Sequence, residues 1–390
     1  MTMDARETQR QDDLRLVSES ALAFASRETP LSRVRGMRGR KPEFDRGIWN
    51  KLAAQGWTGL LAAEQFGGHA QGFAEMAAII AELADRLTPE PLTPAVVLAG
   101  GVLRHCPDTE QKSRLLTALA AGELIPALAW QDGGGGPDTA LATTATHASR
   151  SGNRIRLTGE KRHIRPGTGA DGYIVSVQDR DFSLYWMPSD SAGMQIEEEA
   201  LADGTWSARL RLDGAAVLPQ QCLCSGDAAL SALTRAYDET LVMASVELLA
   251  VMRRMLSMTL EYLRTRVQFG KPIGAFQSLQ HRAVDLLIQQ ELTAAVVGQA
   301  IAALDAGANA DADLQARASV ASRAKARASD ACLLVARESV QMHGAMGFTD
   351  ECDLGLYVQR ALVLSAWLGN GLAHRRRFGA VNPLGGAGAA

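Results

Sequence analysis

The feature that most constrains this 390-residue chain is a change of hydrophobic period, from helical to alternating and back to helical. From about Asp12 to Glu123 apolar residues recur at helical spacing, as at Leu14, Leu16, Val17 and Leu22 and again at Met76, Ala77, Ile79, Ile80 and Leu83. Such spacing gathers them on one stripe of a helix. Pro89, Pro91 and Pro94 each disfavour helix at the preceding residue, so a turn belongs there. Between about Ile125 and Leu218, Gly and Thr become frequent and short alternating runs replace the helical pattern, at Ile155 to Leu157, Tyr173 to Val177, Phe182 to Met187 and Ala208 to Leu212. Helical spacing returns after about Asp227, over 229–266, 275–305, 311–344 and 354–376, in the manner of an antiparallel bundle. The expected fold is mainly α with a central β domain, a small barrel or sandwich. Its expected parts are a helical domain over 1–124, a β domain over 125–226, a helical bundle over 227–384 and a disordered tail over 385–390.

Composition excludes several classes. With 47% hydrophobic and 21% charged residues the chain is an ordinary globular one, and its net charge of −3 provides no footprint for nucleic acid or an anionic membrane. No apolar run approaches the roughly 18 uninterrupted residues that read as a membrane span. Five cysteines and no charged-then-apolar leader point to a reduced, cytoplasmic protein. Cys222 and Cys224 form only a C-x-C pair, with no second pair at zinc spacing, so no metal site is expected.

Two blocks carry a more specific signal. Arg266-Val267-Gln268-Phe269-Gly270-Lys271-Pro272-Ile273-Gly274-Ala275-Phe276-Gln277 is followed, about 70 residues later, by Gln341-Met342-His343-Gly344-Ala345-Met346-Gly347-Phe348-Thr349. Taken singly, the aromatics suit a core, Arg266 and Gln341 a helix surface, and Gly344 and Gly347 a helix end. Together the blocks resemble the C-terminal motifs of the acyl-CoA dehydrogenase family, and the α, β, α order resembles its helical, β-barrel and four-helix domains. The resemblance implies FAD as cofactor, with Arg266, Phe269, Gln277, Gln341, Gly344 and Ala345 serving the adenosine half of a flavin bound mainly by a neighbouring subunit. An arginine fork suits a pyrophosphate, and a glycine turn lets main-chain N–H groups approach it.

The chemistry the family performs is another matter. There a glutamate removes the α-proton of an acyl thioester while the flavin takes the β-hydride. Counted without gaps, that position is Leu368, followed by Gly369-Asn370. The alternative base position of some relatives is Thr240, whose hydroxyl is too weak a base without an activating partner. Glu239 is adjacent and so turned about 100° away, while Glu247 shares the face of Thr240 but lies about 10 Å along the axis. Around the flavin ring the family's Thr reads as Gln131, its Ser as Pro137, and its Trp-x-Thr as His163-Ile164-Arg165. His374-Arg375-Arg376-Arg377 reads either as a contact for a CoA phosphate or as a cation cluster at a helix C-terminus.

The losses have a direction, since residues lent to a neighbour's flavin are kept and those serving the chain's own flavin are replaced. The leading expectation is a non-catalytic subunit of a heteromeric acyl-CoA dehydrogenase, working on an acyl-CoA and passing electrons to an electron-transfer flavoprotein. A self-sufficient homotetramer or homodimer with a relocated base, Glu247 or His163, stays open, as does a silent scaffold that binds CoA esters or partners.

Overall fold

The computed structural model of the protein describes residues 3–132, 141, 143–151, 154–307 and 314–382. Pro137, the run Gly133 to Gly136 beside it, and the 385–390 tail lie outside the described residues. Among those described, the N-terminal helices are α1 (Met3–Glu28), α2 (Leu31–Met37), α3 (Arg46–Ala54), α4 (Phe73–Asp85), α5 (Gly100–His105) and α6 (Glu110–Ala120). A π-helical stretch, Leu92–Ala99, leads into α5, so the turn expected at the prolines precedes a wide helical coil. Asp45 and Thr109 begin α3 and α6 by accepting hydrogen bonds from the main-chain N–H groups of Gly47 and Lys112.

The strands are β1 (Pro126–Ala129), β2 (His147–Ser151), β3 (Arg154–Ile164), β4 (Gly172–Gln178), β5 (Phe182–Pro188), β6 (Met194–Ala200), β7 (Trp206–Val217) and β8 (Cys222–Ser225). They form one sheet in the order β6-β7-β3-β2-β4-β5-β8, with β1 beside β4 in parallel. One face of this sheet makes the β core. Ile155 and Leu157 of β3, Tyr173, Val175 and Val177 of β4, and Tyr185 and Met187 of β5 point into it at two-residue spacing. On β7 the inward series is Ala208, Leu210, Leu212 and then Ala215, Val217, a switch from even to odd positions. The register explains it: Gly159 faces Leu212 while Leu157 faces Ala215, so β7 holds one extra residue, and Gly214 there has φ +62°. A bulge seated on a left-handed glycine restores the inward face after the extra residue. The sequence shows β3, β4, β5 and β7 by alternation. It conceals β6, whose Gln195, Glu197, Glu198 and Glu199 carry an exposed strand paired to Arg209 and Arg211 of β7.

The C-terminal helices are α7 (Gly226–Thr265), α8 (Gln277–Ala306), α9 (Leu314–His343), α10 (Leu354–Ala366) and α11 (Gly371–Val381), with a two-stranded ribbon, β9 (Val267–Gln268) and β10 (Lys271–Pro272), between α7 and α8. The helix expected over 354–376 is therefore two helices, broken at Trp367 to Asn370. α9 packs against α8, α10 and α11 through a stripe of small residues that includes Ala321, Ala328, Ser329 and Ala336.

Contacts gather the chain into two units. One comprises residues 1–36, 77–88 and 241–390, and the other 37–76 and 89–240. Three consecutive segments are what the hydrophobic period suggests. Two of the contact boundaries, at 76/77 and 240/241, fall inside α4 and α7, where the helical period runs on without a break.

Candidate functional site

In the helical unit, α7 ends at Thr265 and the first motif turns back as the β9–β10 ribbon. Phe269 and Gly270 occupy its tip with φ +53° and +79°, the two left-handed residues of a tight hairpin turn. A non-glycine residue pays about 1 kcal/mol for that conformation, yet the Phe269 ring is 89% exposed. Its ring meets Phe276 edge-on at 6.1 Å, and the Lys271 ammonium lies 4.4 Å from the Phe276 ring centre.

The second motif ends α9. Gly344, at φ +58°, stops the helix in the way a C-terminal glycine does, and Gly347 is closely packed, since a Cβ there would stand 3.0 Å from the Val340 carbonyl oxygen. The helices that lead into the two motifs meet through Tyr262 of α7 and His343 of α9, whose rings stack at 4.5 Å and 18°. His343 donates through Nδ1 to the Ser339 carbonyl at 2.8 Å, and burial lowers its pKa, so the ring is held neutral. Arg266, Phe269, Gln277, Gln341, Gly344 and Ala345 are all exposed. The side chains of Arg266, Gln277 and Gln341 make no hydrogen bond or ion pair among the described residues.

Leu368, the position at which the family's base is expected, lies in the same unit and is built differently. Leu368, at φ +59° and only 3% exposed, forms the turn between α10 and α11. Gly369 follows at φ +108°, where a Cβ would meet His374 Nε2 at 2.8 Å. Lys325 of α9, fully buried, donates through Nζ to the carbonyls of Leu364 (3.0 Å), Ser365 (3.2 Å) and Gly369 (3.0 Å) and to Ser329 Oγ (3.0 Å). It thus caps the carbonyl end of α10 with a positive charge. His374 donates through Nε2 to the Leu368 carbonyl at 2.9 Å, and burial, reinforced by the charge of Lys325, pushes its pKa down to about 3. A buried clamp of Lys325 and His374 holds the turn. The sequence reading missed both roles, although Lys325 falls on the inward, small-residue stripe of α9 between Ala321 and Ser329, a placement that suits no surface lysine.

The run His374 to Arg377 is not at a helix C-terminus. α11 begins at Gly371, capped by Asn370 accepting from the Ala373 N–H at 3.0 Å, so the run lies inside the helix. His374 is buried, Arg375 pairs with Asp330, and Arg377 donates to Ser322 at 3.1 Å. Glu247, on α7, is partly buried and engaged in interactions of its own.

In the other unit Thr240 is fully buried and donates to the Ala236 carbonyl at 2.6 Å, a hydroxyl committed to its own helix. Glu239 turns to Arg104 (2.7 Å) and His105 (2.6 Å), where it forms a buried ion pair. His163 is exposed at φ +57°, on the register shift of β3 between Lys161 and Ile164. The Gln131 carbonyl accepts from the Arg162 N–H at 2.8 Å. Beneath them Lys161, fully buried, donates to Asp132 (2.5 Å), Thr144 (2.6 Å), Ser176 (2.9 Å) and the Trp130 carbonyl (3.3 Å). Burial lowers its pKa to about 8 against the opposing pull of Asp132. This cage holds the Asp132 end of the glycine-rich segment and was also missed, because Lys161 reads as one charge among Glu160, Lys161 and Arg162.

Comparisons with known proteins agree with this anatomy. The family model described as acyl-CoA dehydrogenase, C-terminal domain, matches residues 231–381, and that described as acyl-CoA dehydrogenase, N-terminal domain, matches 11–123. The acyl-CoA dehydrogenase FadE27 of Mycobacterium tuberculosis is 30% identical over 350 residues, covering 86% of this chain and 88% of its own. Among solved structures, the ChsE4-ChsE5 complex from Mycobacterium tuberculosis contains a chain that superposes with a TM-score of 0.83 at 24% identity, over 97% of this chain and 98% of that one. A variant of the steroid ACAD Tcur3481-Tcur3483 gives a TM-score of 0.85 at 24% identity, over 97% and 99%. At that identity the structural matches establish the fold.

Proposed function

Because this chain belongs to the acyl-CoA dehydrogenase family, we propose that it is the non-catalytic subunit of a heteromeric acyl-CoA dehydrogenase, completing the FAD site of a homologous partner that supplies the base. One observation carries the reading. Six motif residues of the helical unit stand exposed, while the two positions where the family's base is expected hold Leu368 and Thr240, both buried and without a carboxylate.

The exposed residues fit the cofactor. Arg266 offers the paired donors a pyrophosphate takes, Gln277 and Gln341 offer amides, and Gly270 and Gly344 have open space where a Cβ would stand. FAD, when bound, supplies the hydride-accepting chemistry of α,β-dehydrogenation of an acyl-CoA thioester, with electrons leaving to an electron-transfer flavoprotein. This chain binds and orients. Its stacked rings hold the two motif blocks in one geometry, and its clamped Leu368 turn withholds a proton acceptor. The helix α8 supports a protein partner: Val284, Leu287, Ile288 and Leu292 form an exposed apolar stripe. By length and composition alone α8 would pass as a membrane span, but Arg282, Asp285, Gln289 and Glu291 interleave the stripe, which makes it an amphipathic contact face. A steroid-type acyl group is the proposed substrate, supported by the likeness to the steroid ACAD.

Purification of the chain alone and with a dehydrogenase homologue encoded beside it tests the reading, with flavin per chain and acyl-CoA-dependent dye reduction as measurements. Little flavin alone and about one FAD per two chains with the partner is the expected outcome. One FAD per chain and turnover from the lone protein would overturn it in favour of a relocated base, with Glu247→Gln and His163→Ala then telling the two candidates apart. Absence of FAD under both conditions would leave a scaffold.

A further inference from the structure

Five cysteines are spread through the chain, and two of them touch. Cys106 follows the last residue of α5 and Cys224 lies on β8; they are 118 residues apart in sequence and belong to the same unit. Their Sγ atoms stand 2.8 Å apart, with the two residues only 2% and 7% exposed. A disulfide bond is about 2.05 Å long, so a shortening of roughly 0.8 Å separates contact from covalency. Both backbones are anchored. The Cys106 carbonyl accepts from Lys112 Nζ at 2.6 Å, and Lys112 is itself tied to Asp108 at 2.8 Å. Cys224 sits opposite Leu184 in the β5–β8 pairing. Fixed in contact, the two thiols lose almost no freedom on bonding, the circumstance in which an intramolecular reaction outruns competitors.

We propose that Cys106 and Cys224 are a redox-modification site, forming a reversible disulfide with hydrogen peroxide as the oxidant. In the first step one sulfur attacks the O–O bond of the peroxide, becoming a sulfenic acid and releasing water. In the second, the other thiol displaces water from that sulfur and the S–S bond forms. Two thiols and one peroxide give one disulfide and two waters, the two electrons passing from sulfur to the peroxide oxygens. A small uncharged oxidant is the fitting one because the pair is buried, while the strong protonation of the Cys224 thiol, caused first by its hydrogen bond with Cys106 and then by burial, slows its attack. The nearby ammonium of Lys112 is the charge that favours the thiolate. Dithiol reagents return the pair to the reduced state by exchange.

Cys222 is the built-in competitor. It lies two residues from Cys224, is partly exposed, and points its thiol at the Cys224 carbonyl from 3.6 Å. A bond selected by accessibility would use Cys222, whereas one selected by contact uses Cys106 and Cys224.

The full-length native protein, treated with hydrogen peroxide, quenched with an alkylating reagent and denatured for thiol counting, is the test. Five thiols before treatment and three after are expected, with non-reducing peptide mapping joining the Cys106 and Cys224 peptides and a dithiol restoring all five. Cys222→Ser should keep the cross-link, and Cys106→Ser should abolish it. If Cys106→Ser fails to fold, mapping of wild type and Cys222→Ser decides alone. Five thiols surviving peroxide that oxidises the unfolded chain, a cross-link through Cys222, or oxidation confined to Cys222 would each overturn the proposal.

Discussion

Leu368 holds a left-handed backbone conformation that favours glycine, and its side chain is nevertheless buried. The strain, about 1 kcal/mol, is tolerated because Lys325 and His374 grip the carbonyls on either side of the turn. Lys325→Met removes the grip and leaves several buried carbonyls without their donor. A loss of about 3 kcal/mol in urea unfolding is expected, and a change under about 0.5 kcal/mol would mean that the buried ammonium contributes nothing net. Leu368→Glu restores the residue type of the family's base without restoring the base. Its carboxylate enters a closed turn held by Lys325 and His374, so no acyl-CoA-dependent dye reduction is expected from the isolated variant. Turnover appearing in it would show that one residue had been the whole deficit.

The break between α10 and α11 carries a pH dependence of its own. His374 has a folded pKa of about 3, below the roughly 6.5 of an unfolded histidine. Below about pH 6.5 the unfolded chain takes up a proton that the folded chain refuses, so stability falls as pH drops towards 3 and is unaffected above 6.5. The slope from this one group is about 1.4 kcal/mol per pH unit at most. Denaturation at several pH values should show it for wild type and lose it in His374→Gln; parallel curves for the two proteins would contradict the assignment. At this scale the sequence was readable where period and chemistry agree, as in β3 to β5 and in the two motif blocks. It was silent where a polar side chain does an interior task. Lys161 and Lys325 read as surface charges because local spacing does not record burial, and β6 was hidden because an exposed strand paired through Glu and Arg shows no apolar alternation. The 354–376 helix was drawn too long because the turn that breaks it contains Trp367 and Leu368, residues that continue a helical apolar pattern.

For the molecule as a whole, the exposed stripe of α8 and the exposed motif residues are two parts of one expectation, a surface meant to be covered. Ile288→Arg places a charge on the stripe without touching a core. It should separate the proposed pair in size-exclusion chromatography while leaving the isolated chain's melting temperature within a degree or two. A large drop in that temperature would instead mark the stripe as part of the chain's own packing. The family assignment was legible from two short blocks and the order of periods; the proposed division of labour rests on which residues depart from the family's pattern. On the proposed function, this chain lends Arg266 to a partner's flavin. The most direct test of this is the flavin content of the co-purified pair carrying Arg266→Ala: the pair stays assembled and its FAD falls from about one per two chains to a small fraction of that. Full retention of FAD by the assembled variant would contradict the account.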